Sequence, residues 1–319
     1  PARDLMFKEG LRSKFLGCMV GAAIGDAVGA FFEGRWRISL EEVAARLLEA
    51  HTLRYTDDTE MTIGLAESII RNKRVEPDDL IKTFIENFDP SRGYGWGTIK
   101  VLRLVERGES WREASGKAFG GEGSFGNGAA MRVSPVGLFY YDDPEGLVTA
   151  AELSSLVTHS NPLGIEGAVV QAYSVSMAVK SDPREGFRWK DLLDDLIGKI
   201  ARTEVFRRKL QAVKELLTKK VDREEVVEKL GNGVEAFNSV PTAIYVFLKN
   251  SRDFRAAILD AVCLGGDTDT IASMVGALSG SYLGFQAIPD EWFRKLEDGE
   301  YIRGLAEKLW ETKVSLISR

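Results

Sequence analysis

Glycine recurs every four residues at Gly17, Gly21, Gly25 and Gly29, and again at Gly276, Gly280 and Gly284 near the other end of the chain. A four-residue repeat puts its members on one side of a helix. Each glycine inside a helix costs about 1 kcal/mol relative to alanine, so a full stripe implies that another backbone or a ligand approaches that face. Packing between helices is the more direct of these two readings, and it makes both helices central. Residues 15–32, which hold most of the first stripe, contain a single charge, Asp26. Their length would suit a membrane span. Their content is Gly and Ala rather than Leu and Ile, however, and an Asp near the middle would cost about 2.5–3.5 kcal/mol on insertion scales. A buried core helix is the better reading.

Helix signals continue along the whole chain, whereas a period-two strand pattern is hard to find. Ser39 with Glu42, and Ser110 with Glu113, read as capping boxes that open helices. Pro77 suits a first helical position, and Leu80, Ile81, Phe84, Ile85 and Phe88 follow it at helical spacing. Gly108 stands where a C′ glycine would end a helix, and Pro162 and Pro241 each open a further apolar run. The charged stretch 184–230 reads as an outer set of helices with solvated faces. No Pro- or Ser-rich linker and no short repeat divides the sequence, so residues 1–319 read as one all-α domain.

Two segments far apart look alike: Tyr55, Thr56, Asp57, Asp58, Thr59 and Glu60, and Gly265, Gly266, Asp267, Thr268, Asp269 and Thr270. Each is read as preceding a helical run, 61–70 and 271–283. Capping by Asp or Thr would account for one side chain in each segment. It leaves the second carboxylate of each unexplained, and crowded like charges are unfavourable without a compensating cation. Carboxylates and hydroxyls are hard oxygen ligands, suited to Mg²⁺, Mn²⁺ or Ca²⁺. Zinc would prefer Cys and His, of which the chain has two each. An EF-hand is excluded, because the required glycine and glutamate do not follow Asp267.

The stretch Gly120, Gly121, Glu122, Gly123, Ser124, Phe125, Gly126, Asn127 and Gly128 is a flexible loop whose N–H groups could cradle an anion. It lacks the ending of a Walker A motif. His159 lies just ahead of a helix, where a structural and a functional role are equally open. Cys18 and Cys263 sit among small apolar residues and read as buried free thiols of a reducing compartment, which argues against a Cys–His catalytic pair. A net charge of -6 offers no basic stripe for a phosphate backbone, so nucleic acid is not the expected main partner. The first ten residues show no secretory h-region, and the chain is expected in the cytoplasm, off the membrane and as a monomer. Asn and Gln are scarce beside Glu, Lys and Arg, a bias shared with proteins from hot environments.

Taken together, these pieces resemble the ADP-ribosylglycohydrolase family, which includes the enzyme that reactivates dinitrogenase reductase and the eukaryotic ADP-ribosyl-acceptor hydrolases. The resemblance spans nearly the whole chain. It is carried by residues 21–29 (GAAIGDAVG) with Glu33 downstream, by 55–59 (YTDDT), 93–95 (GYG), 126–132 (GNGAAMR), Thr158 with His159, and 266–270 (GDTDT). The resemblance implies a compact orthogonal helical bundle around a binuclear centre of two divalent cations, Mg²⁺ or Mn²⁺. Carried over by position, Thr56, Asp57, Asp58, Asp267, Asp269 and Thr270 would be the metal ligands. Glu33 resembles a mobile acidic residue beside the metals. Asp57, Asp58 and Glu33 are alternatives for a general base, and Asp57 and Asp269 stand nearest the chemistry. Gly123, Ser124, Phe125, Gly126 and Asn127 match a loop that holds diphosphate and ribose. Phe125 replaces a Tyr common in relatives, which keeps stacking and removes a hydroxyl. His159 matches a residue beside the ligand, and the loop 93–95 borders the cleft.

The implied reaction is hydrolysis of an ADP-ribosyl linkage at C1″, with oxocarbenium character developing at the sugar. The implied partner is an ADP-ribosylated protein or a small molecule containing ADP-ribose. Two alternatives stay open: a hydrolase of free O-acetyl-ADP-ribose or another ribosyl metabolite, and a non-catalytic, crystallin-like relative. Retention of Asp57, Asp58, Asp267 and Asp269 argues against the latter.

Overall fold

The computed structural model describes residues 2–318, and the surroundings of side chains from residue 6 onward. The glycine stripes meet face to face. A Cβ on Gly21 would lie 2.5 Å from the Gly276 carbonyl oxygen, and Gly17, Gly25 and Gly29 confront Gly280, Ala272 and Thr268 in the same way. The register runs in opposite senses, so helix Ala2–Ala30 packs antiparallel on helix Thr268–Leu283 with backbone against backbone. Helix packing thus explains the stripes, except that Gly284 has a second duty. It ends its helix in a left-handed conformation (φ 88°), where a side chain would be strained.

Other helices wrap this pair. Pro162–Lys180, Val240–Lys249 and Phe254–Cys263 pack on Thr268–Leu283, and Asp57–Asn72 packs on Pro77–Asn87 and Gly299–Ile317. One continuous apolar core runs through them, from Phe15 and Ile24 to Val275 and Leu309. Ser39 and Glu42 form the reciprocal capping box, while Ser110 accepts from Glu113 N without the return bond. Pro77, Pro162 and Pro241 occupy first-turn positions, and Gly108 follows a C-cap at φ 101°. In the charged stretch, Phe206, Leu210 and Val213 form a buried stripe beneath an exposed polar face. Cys18 and Cys263 are buried and unpaired. Among the described residues there is no strand, only the isolated bridges Leu53–Leu296 and Gly126–Glu235. No helix among them is long and apolar enough to cross a membrane.

One expectation needs correction. The acidic segments do not precede their helices; they are the first turns, with Asp57 and Asp58 inside helix Asp57–Asn72 and Asp269 inside Thr268–Leu283. The positive end of a helix attracts carboxylates, so the helices start earlier than apolar periodicity indicates.

Candidate functional site

The glycine pair fixes where the acids meet. Gly29 lies against Thr268 O and the backbone of Asp269, which brings the end of the first helix to the second acidic segment. One turn earlier, Asp26 is fully buried and accepts four hydrogen bonds, from Thr56 N (2.9 Å) and Oγ1 (2.7 Å) and from Thr59 N (3.2 Å) and Oγ1 (2.6 Å). This clamp draws the first acidic segment to the same point. Thr270 Oγ1 then donates to Asp58 Oδ2 at 2.7 Å and joins the two segments directly.

Two trios of carboxylates result. Asp26, Asp58 and Asp269 each bring an oxygen within 4.8 Å of the others, and so do Glu33, Asp267 and Asp269. Burial and then the charge of Asp26 push Asp57 up to about 8. Asp58 and Asp269 are raised well above the usual carboxylate range by burial, then by Asp26 for the former and Asp58 for the latter. Burial raises Asp26 to about 6 despite its four donors. Asp269 Oδ1 is buried with no hydrogen-bond partner, a state that is rare unless something absent supplies the partner. An all-oxygen set of crowded, half-satisfied carboxylates fits a hard divalent cation.

The second segment is held by neighbours rather than by its own helix. Asp267 occupies the N-cap position without capping; its Oδ2 accepts from Asn127 Nδ2 at 2.7 Å. Gly265 and Gly266 both have left-handed φ, and a Cβ on Gly266 would meet Asn232 Nδ2 at 2.8 Å. Gly34 N donates to Gly266 O and Gly266 N to Arg35 O, each at 2.9 Å, so the turn that carries Glu33 is tied to this loop. Burial, then Asp267, raises the Glu33 carboxyl.

A cleft of about 480 Å³ opens from these acids. Glu33, Asp57, Asp58, Asp267, Asp269 and Thr270 line it, and Thr56 Oγ1 beside them donates to Asp26 Oδ1. The other walls include Ser124, Gly126, Asn127 and His159. The glycine-rich loop is folded tightly: Gly123 (φ 74°) sits against Asn161 N, and Ser124 O rests on Gly164. Asn127 N donates to Val234 O and Gly126 N to Ser124 Oγ. Those two N–H groups are engaged inside the protein, which narrows the anion cradle expected of the loop. The Asn127 amide is likewise engaged, with Asp267 and Ser239. Phe125 stacks on Phe237 with ring centres 6.3 Å apart and lies 6.0 Å from Phe119. His159 is buried against Gly128, its Nδ1 2.7 Å from Thr158 Oγ1, and burial lowers it to about 3, so the ring is neutral. Gly93 and Gly95 border the cleft, and Tyr94 between them donates to Glu60 Oε1 at 2.6 Å.

Several residues of the site escape sequence reasoning. Asp26 had one visible signal, a lone charge in an apolar helix. Phe119, Trp96, Lys100 and Val234 also line the cleft, with nothing in local pattern to mark them.

An all-α scaffold holds crowded carboxylates along a cleft, and the comparisons with known proteins give its family. The model of the ADP-ribosylglycohydrolase family matches residues 8–316. ADP-ribosylhydrolase ARH3 of Mus musculus is 34% identical over 93% of this chain and 91% of its own. The human ARH3 is 34% identical over 93% of each, and an uncharacterized protein of Archaeoglobus fulgidus is 32% identical over 96% and 99%. A solved structure titled ADP-ribosylglycohydrolase-related protein complex superposes with a TM-score of 0.76 at 27% identity, covering 96% of this chain and 99% of its own. The chain belongs to the ADP-ribosylglycohydrolase family, and hydrolysis of ADP-ribosyl groups is its class of reaction.

Proposed function

We propose that residues 1–319 form one catalytic domain that hydrolyses the C1″ linkage of an ADP-ribosyl group with the help of two divalent cations, Mg²⁺ or Mn²⁺. The observation that carries this is the pair of carboxylate trios sharing Asp269 at the head of the cleft. In this reading Thr56, Asp57, Asp58, Asp267, Asp269 and Thr270 hold the metals. Bound there, such ions supply electrostatic stabilisation, grip on sugar hydroxyls and acidification of water.

The protein's own groups do the rest. The Ser124 to Asn127 loop seats the diphosphate and ribose, and Phe125, backed by Phe237, offers a stacking face. Neutral His159 sets hydrogen bonds beside the ligand without adding charge. Water attacks C1″ as the bond to the acceptor breaks, the acceptor atom leaving with the bonding pair and taking up a proton. A carboxylate facing the cleft, Glu33, Asp57 or Asp58, takes the proton that water releases. Glu33 suits this task better than Asp58, which already accepts from Thr270.

The test is release of ADP-ribose from arginine-, serine-, nucleobase- and O-acetyl-linked substrates with each metal. Release from at least one, abolished by a chelator, is expected. Normal ADP-ribose binding with no release from any would make the chain a binding protein and overturn the reading.

A further inference from the structure

The charged stretch 184–230 is tied to the site through Lys209. This residue, on helix Glu204–Leu216, is half-buried, and its ammonium turns inward. Nζ donates to Leu230 O at 3.0 Å and to Lys229 O at 3.5 Å, carbonyls at the end of helix Arg223–Leu230. A cation suits that negative end of a helix. The third bond, to Asn238 Oδ1 at 2.8 Å, is no part of a helix cap. With it the three donors of one ammonium grip both ends of the segment 231–238. Burial lowers the ammonium from its ordinary range, and the Glu235 carboxylate within that segment works against the shift.

The segment touches both halves of the candidate site. Towards the second acidic segment, Asn232 O accepts from Asp267 N at 2.8 Å, Asn232 Nδ2 donates to Leu264 O at 3.0 Å, and Gly266 packs on the Asn232 side chain. Towards the glycine-rich loop, Val234 O accepts from Asn127 N at 2.8 Å, and Ala236 N donates to Phe125 O at 3.0 Å. Asn238 Nδ2 donates to Glu235 Oε2, and Ser239 Oγ donates to Glu235 O. Ser239 Oγ in turn accepts from the Asn127 amide that holds Asp267. A bonded path thus leads from Lys209 through Asn238, Glu235, Ser239 and Asn127 to Asp267.

We infer that Lys209 is a positioning residue: by closing the segment 231–238 from outside, it holds the Asn127 loop and the Asp267 turn in register and so sets the affinity of the acid cluster for its cation. The inference rests on the metal reading above. Groups that orient the ligands of a metal are worth about 10–100-fold in affinity, and Lys209, several bonds further out, belongs at the lower end of that range. Lys14 is the natural control. It is also half-buried and donates to Ser181 O at 2.5 Å, Tyr282 O at 3.0 Å and Ala178 O at 3.4 Å. These carbonyls end helices Pro162–Lys180 and Thr268–Leu283, the latter at the end opposite Asp269.

The test measures binding of Mn²⁺ and of Mg²⁺ to the full-length chain by calorimetry, beside melting in chelator. Lys209→Met should weaken cation binding about tenfold, and Lys209→Arg, which keeps charge and donors, should recover most of it. Lys14→Met should lower the melting temperature at least as much as Lys209→Met and leave cation affinity unchanged. Wild-type cation affinity in Lys209→Met, or an equal weakening in Lys14→Met, would make Lys209 a helix cap and overturn the inference while the metal reading stands. A wild-type chain that binds neither cation overturns both. Should Lys209→Met not fold, Asn238→Ala cuts the path at its next member and must weaken cation binding severalfold; unchanged affinity there overturns the inference as well.

Discussion

The two acidic segments share a composition and differ in how their carboxylates are held. In residues 55–60 the internal bonds are nearly complete: Thr56 caps its helix, Asp26 clamps Thr56 and Thr59, and Asp58 accepts from Thr270. In residues 265–270 the carboxylates have fewer partners. Asp267 has the amide of Asn127, and one oxygen of Asp269 has none. The first segment is a rigid frame and the second an unfinished one, so a bound cation should matter most to the second. Like charges brought this close favour whatever neutralises them.

Four outcomes would break or sharpen that contrast. Asp269→Asn removes charge shared by both trios at nearly constant shape. Turnover should fall on the order of 10²–10³-fold while ADP-ribose affinity, read by calorimetry, stays within a few-fold; an equal loss of both would erase the distinction between metal and ligand sites. Asp26→Ala strands four donors of the first segment, and denaturant unfolding should show a loss of about 3 kcal/mol. A variant as stable as wild type would refute the frame. The third outcome concerns pH. Unfolded, Asp57 titrates near 3.9, but folded it keeps its proton up to about 8. Between these values the folded state binds the extra proton, so this contribution is fully present below about pH 4 and is lost as pH rises towards 8. Melting in chelator should therefore drop across that window. Added Mg²⁺ or Mn²⁺ should restore stability, by about 2.7 kcal/mol at a hundredfold excess over Kd, and increasingly so at higher pH. A pH-independent metal effect would argue against these ligands. The smallest change is expected of Asn127→Ala, which frees Asp267: metal affinity should weaken about 10–100-fold with a stability loss near 1 kcal/mol. If stability fell as far as with Asp26→Ala, the two segments would not differ.

Much of the fold is legible because its signals are local or periodic. Ser39 with Glu42, Pro77 and Gly108 act within one turn of chain, and the glycine stripes state their partner requirement through spacing alone. The metal-binding candidates are legible for another reason, since two carboxylates in one turn have no simple structural explanation. What stays hidden depends on contacts between distant residues. Asp26 resembles a misplaced charge until Thr56 and Thr59 are seen around it. Asn127 reads as a ligand-loop residue, yet its side chain is turned to Asp267, 140 positions away. Arg132 sits fully buried beneath the site over Phe84, donating to Ser154 O. The aromatic lining by Phe119 and Trp96 depends on Phe119 packing against Gly97, next to Trp96, which no periodicity encodes.

The antiparallel glycine helices also bear on how the protein comes into being. Thr268 Oγ1 donates to Gly29 O, 239 positions away. At roughly 5–20 residues per second of synthesis, the first helix waits about 12–48 s before its partner exists. During that time its bare glycine face and the Asp26 carboxylate have nothing to close against. Contacts of such long range make folding slow, and a nascent chain that has not yet reached Asp267 has neither the central helix pair nor the second half of the acid cluster. Assembly of the acid cluster is thus a late event in synthesis, since its second half is made about 240 residues after the first helix.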